Sequence, residues 1–193
     1  MGPLTGAEAL SGTYAARLHV DGRTFEQTFM LADDPGSPWT SEQRAARHAF
    51  LVTLFGWFDG IDKALNEIDA RLKRKTLPDG ERARLIALRN DLTSNPLHDE
   101  DSISLPDRIR EQIGALIGQL GGALQPPFEQ HQAALDALRP GVAQSYERIA
   151  AVLGAAFAQR LGMRPFSPPA HAIIVAPTLA PTPVPAATRA PSS

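Results

Sequence analysis

Tyr14-Ala15-Ala16-Arg17-Leu18-His19-Val20-Asp21-Gly22-Arg23-Thr24-Phe25-Glu26-Gln27-Thr28-Phe29 is the stretch on which the fold turns. Tyr14, Ala16, Leu18 and Val20 alternate with Ala15, Arg17 and His19, the period of two that sends neighbouring side chains to opposite faces of a strand. Asp21-Gly22 suits a two-residue type I′ turn, whose two central positions both need positive φ. The return strand alternates as well, with Phe25, Gln27, Phe29 and Leu31 on one face and Thr24, Glu26, Thr28 and Met30 on the other. A two-residue turn sets Val20 opposite Arg23. Leu18 then meets Phe25, Tyr14 meets Phe29, and Arg17 meets Glu26 on the other face. Apolar matches apolar and plus matches minus, so a β-hairpin follows in one register.

A lone two-stranded ribbon is marginal in water. Its apolar face, carried by Tyr14, Leu18, Phe25 and Phe29, needs a cover. Met1 to Ser11 is too short to supply a sheet. Either the ribbon lies on the elements that follow it, or its sheet belongs to another segment or another molecule.

Downstream the period changes from two to about three and a half. Asp33-Asp34-Pro35-Gly36-Ser37-Pro38 is a connector of turn formers. Thr40 or Ser41 then caps a long helix, with Glu42 and Gln43 placed for a capping box. Phe50, Leu54, Trp57 or Phe58, Ile61, Leu65, Ile68 and Leu72 form its apolar stripe. Arg71, Lys73, Arg74 and Lys75 gather at its C-terminal end, where cations complement the helix dipole. After Leu77-Pro78-Asp79-Gly80 a second helix is predicted over Glu81–Thr93, with Leu85, Leu88 and Leu92 inward. A third begins at Pro106, with Ile109, Ile113, Leu116, Ile117, Leu120 and Leu124 as its stripe. Gly114, Gly118, Gly121 and Gly122 weaken that helix intrinsically but permit close approach to a neighbour. The fourth runs from Phe128 to about Gly162 on Leu135, Leu138, Val142, Ile149, Leu153 and Phe157, and Pro140-Gly141 should kink or split it.

The fold class expected is therefore mainly α: an N-terminal β-hairpin (residues 1–34), an up-down four-helix bundle (35–163) and a disordered Pro/Ala-rich tail (164–193). From Pro165 to Ser193 there are eight prolines, with Arg189 the sole full charge, a composition that favours extended, unpacked chain.

Chemistry is thinner. The 193 residues include no cysteine, which removes disulfides, thiolate metal sites and cysteine nucleophiles together. A net charge of −2 recruits neither nucleic acid nor anionic lipid. No apolar run reaches the roughly 18 residues of a membrane span, and Met1 to Leu10 has neither the basic nor the apolar part of a signal peptide. His98-Asp99-Glu100-Asp101 lacks the glycine-spaced pattern of a calcium loop. Asp59, Asp62, Glu67 and Asp69 would suit a di-metal bundle only with Glu-x-x-His pairs, and none occurs. There is no Gly-x-Ser-x-Gly, and the glycines near Gly118 follow no strand. The cations from Arg71 to Arg89 have no interleaved aromatic residue and read as a solvated surface. Trp57 and Phe58 fit a core stripe better than a ligand pocket. No catalytic, cofactor-binding or metal-ligating residue is assigned and no cofactor is expected.

Ser11-Gly12-Thr13-Tyr14-Ala15-Ala16-Arg17-Leu18-His19-Val20-Asp21-Gly22 is similar to the close of an immunoglobulin-like accessory domain. Followed by an acidic, proline-bearing linker and a helical bundle, it resembles the C-terminal region of bacterial sortilin-type β-propeller proteins, often labelled glycosyl hydrolase or BNR-repeat proteins. Ser104 to Leu124, Pro126-Pro127 and Gln130-His131-Gln132-Ala133-Ala134-Leu135 resemble that region's last two helices. The resemblance implies a propeller upstream that would hold any glycan site, and a periplasmic or secreted parent. No catalytic residue carries over, since the Asp-box repeats of such propellers do not occur in this chain. The expected function is a non-catalytic accessory module that docks to a protein partner or self-associates. The alternatives are an independent helical scaffold binding a partner by strand addition at the hairpin, and a hydrolase whose site is not recognisable.

Overall fold

The computed structural model describes residues 6–94, 107–121 and 129–161. The C-terminal tail, Pro106, Leu124 and the acidic run near Asp99 lie outside them. The hairpin pairs β1 (Gly12–Val20) with β2 (Arg23–Leu31). Its register is the expected one, from Val20↔Arg23 through Leu18↔Phe25, Arg17↔Glu26 and Tyr14↔Phe29 to Gly12↔Leu31. Asp21 (φ 47°) and Gly22 (φ 74°) both take the positive values that a type I′ turn requires.

Helix α1 (Ser41–Leu72) opens with a complete capping box. Thr40 Oγ1 accepts from the Gln43 amide at 3.2 Å, and Gln43 Oε1 accepts from the Thr40 amide at 3.0 Å. Among the described residues four shorter helices follow: α2 (Asp79–Leu92), α3 (Ile109–Gly121), α4 (Glu129–Leu153) and α5 (Ala155–Arg160). Their buried residues make one core. Leu54, Ile61 and Ile68 of α1 meet Leu85 and Leu92 of α2, Ile113 and Leu120 of α3, and Leu135 and Ile149 of α4 in it.

The helix directions follow from the cross-contacts. Arg82 of α2 reaches the Leu72 carbonyl and Arg89 reaches Asp69, so α2 runs back along the C-terminal half of α1. Arg110 of α3 binds Asp62, and the Leu120 carbonyl accepts from Arg47, so α3 runs back along the N-terminal half. The two follow one another in the same sense down one long partner. At 1.5 Å per residue α1 spans about 48 Å, and α2 and α3 together nearly match it. Helix α4 runs parallel to α1 across both. Arg139, before its midpoint, lies over the Trp57 ring, and its Leu153 carbonyl accepts from Arg71 at its end.

Three details differ from expectation. Leu65 is only half-buried, and the inward position there is Ala64, fully enclosed; over 32 residues a 3.6-residue turn drifts off a strict heptad, so the stripe steps from Leu65 to Ala64. Pro140 lies inside α4 and does not split it, because Leu135 and Val142, buried on either side, hold the helix across the missing backbone hydrogen bond. The break comes at Gly154, whose φ of 102° only glycine adopts easily, and it separates α4 from α5. Of Gly114 and Gly118, the two helix-three glycines whose surroundings are described, Gly114 makes the close approach: a Cβ there would lie 3.3 Å from the Phe58 ring.

Candidate functional site

Alternation and the Asp21–Gly22 turn place Tyr14, Leu18, Phe25 and Phe29 on one face of the ribbon. The structure brings all four together as expected. Tyr14 and Phe29 stack with ring centroids 6.0 Å apart, and Leu18 pairs with Phe25. Nothing covers them: among the described residues neither strand packs against a helix. Leu18 is 59% exposed, Phe25 56% and Phe29 50%. Nine pairs at about 3.4 Å per residue make a free arm of roughly 30 Å. The opposite face is polar, closed by the Arg17–Glu26 ion pair and by His19 Nδ1 against Thr24 Oγ1 at 2.9 Å.

The arm is fastened to α1 at its root. Asp33, just past β2, pairs with Arg44 at 2.6 Å and accepts from Ser41 Oγ of α1. Burial works against its charge, yet hydrogen bonds from Ser11, Arg44 and Ser41 and the Arg44 charge hold its carboxyl below the ordinary value. The Tyr14 hydroxyl donates to the Leu10 carbonyl at 2.5 Å. The strip before β1 lies on α1, with Glu8 paired to the buried Arg47 at 2.9 Å and its carbonyl 2.7 Å from His48 Nδ1. None of these anchors was legible in periodicity, since each involves an irregular segment flanking the ribbon. The acidic and hydroxyl residues flanking the connector were the one available signal.

A second concavity, of about 760 Å³, lies between α1 and α3. Phe55, Phe58 and Gly114 form its apolar floor, and Asp59, Asp62 and Arg110 stand at its rim. Its polar groups are already committed. Arg110 lies 4.5 Å over the Phe58 ring and binds both Asp62 oxygens, at 2.6 and 3.3 Å; the Asp62 hydrogen bond raises its pKa above the ordinary value. Glu111 accepts from the Thr93 hydroxyl at 2.6 Å and the Ser94 amide at 3.1 Å, clasping the end of α2 to the start of α3. These are structural fastenings. Trp57 is buried in the core, as its spacing implied.

Among the described residues no group of three His, Asp or Glu side chains could hold a metal ion, and no helix is long and apolar enough to cross a membrane. No family model matches the chain, and neither a curated protein nor a solved structure matches it. The resemblance to sortilin-type proteins accordingly rests on the quoted residues alone.

Proposed function

We propose that the chain is a non-catalytic protein-interaction module in which the helical bundle is the base and the β-ribbon is the binding element. One observation carries the reading: an apolar face of ordered aromatic and aliphatic side chains stands clear of the protein's own core. Contiguous exposed apolar surface of several hundred Å² on a soluble domain marks an interaction site. Along its nine pairs the ribbon has neither proline nor bulge, two of the usual guards against pairing. The immunoglobulin-like resemblance of Ser11 to Gly22 suggests a particular form of this reading, in which the ribbon completes a sheet within a larger propeller-bearing protein.

The test replaces Phe25 in the full chain with a photo-crosslinking phenylalanine analogue. A second variant carries it at Ile86, an exposed apolar position on α2. Irradiation in the producing cell should give a discrete adduct from position 25 and none from position 86. Equal labelling at both, or none at either, refutes the reading.

A further inference from the structure

Resting on that reading, we infer that the ribbon's partner is a second copy of this chain, stacked face to face with its strands reversed. The apolar face has five rows, set by the register. Ala16 and Gln27 make the middle row. Leu18–Phe25 flanks it toward the turn and Tyr14–Phe29 toward the root. Val20–Arg23 and Gly12–Leu31 close the two ends. Rotation by half a turn about the middle row maps this face onto itself, which is what an isologous two-fold interface demands. Phe25 then stacks on the partner's Phe29, and Tyr14 covers the partner's Leu18. The small Ala16 side chains face one another, so the two sheets close without a clash. The Gln27 amides, the one polar pair at the centre, face each other and can each donate and accept.

Charge selects the reversed orientation. The ribbon's apolar face carries one charged residue, Arg23 beside the turn, and its root carries Asp34 beside the Asp33–Arg44 pair. Reversal brings each Arg23 to the acidic root of the other copy. It also puts the two bundles at opposite ends of the stack, whereas a parallel stack would crowd them together. The area is sufficient for a specific but weak dimer. With the large side chains about half exposed and a whole aromatic burying 150–250 Å², each face withdraws roughly 500 Å². Two faces reach roughly 1,000 Å², the lower bound for specific association.

The test uses the full chain, in which an introduced thiol is the sole cysteine. Sedimentation velocity over a wide concentration range should show a concentration-dependent dimer. Leu18→Glu with Phe29→Lys should abolish it and leave helical circular dichroism unchanged. A short bis-maleimide should join two copies of Ala16→Cys and fail with Ala15→Cys, one residue along and on the polar face. A monomer at every concentration, a dimer that survives the two charges, or equal joining at both positions overturns the inference. The photo-adduct at position 25 separates the two failures. An adduct with a different protein removes the second copy and keeps the interaction module, and no adduct removes both.

Discussion

Ile113 and Leu65 sit at matching points of their apolar stripes in the sequence, yet their surroundings differ. Ile113 is wholly enclosed between α3 and α1, whereas Leu65 is half-buried at the flank of the seam. Ile113→Ala should cost ~2–5 kcal/mol through lost transfer energy and the cavity left behind. Leu65→Ala should cost less than ~2 kcal/mol, since part of that side chain is already in water. Urea denaturation of both variants checks the order, and equal midpoints would contradict the seam described. Asp33 yields a prediction in pH. Burial opposes its charge, but hydrogen bonds from Ser11, Arg44 and Ser41 and the Arg44 charge outweigh it and hold the carboxyl below the ordinary aspartate value. A folded value lowered in this way adds stability that is complete above the unfolded pKa and lost as pH falls through the folded one. Carboxyl NMR should find the Asp33 midpoint below that of an ordinary aspartate, and Arg44→Ala should move it upward.

At the level of elements, the hairpin and the helix caps answer to single residues. Gly22→Ala forces a side chain into φ near 74°, and left-handed backbone costs an ordinary residue ~1–2 kcal/mol. The ribbon should lose amide protection while the helices keep theirs, which hydrogen exchange resolves. Thr40→Ala removes the hydroxyl that caps α1 and should lower bundle stability by ~1 kcal/mol in thermal melts. How much of this was legible depends on where each instruction resides. The ribbon's register could be read outright, because alternation, the Asp21–Gly22 turn and the Arg17–Glu26 pair all agree. So could the inward residues of α2, whose leucines allow one face. Whether the ribbon's apolar face is covered could not be read, because a strand's pattern says which side seeks burial and not what supplies it. The tandem placement of α2 and α3 was available only as a length comparison with α1. The break at Gly154 was masked by the more conspicuous Pro140.

Across the whole molecule the division of labour is plain. The core closes on helices alone, and the ribbon touches it through the Asp33–Arg44 root and the strip around Glu8. Replacing residues 12–31 with a short glycine-serine link, while keeping Gly6 to Leu10, should leave the bundle's melting temperature unchanged. A marked drop would mean that the arm contributes to the core. The clasp of Glu111 on Thr93 and Ser94 has a further consequence. It holds the exit of one helix a single side chain away from the entrance of the next. For chain whose two ends are held together, each doubling of length costs only ~0.6 kcal/mol of entropy. The junction is therefore a natural port: a foreign folded domain with neighbouring termini could be spliced in there, and the host would scarcely register its presence.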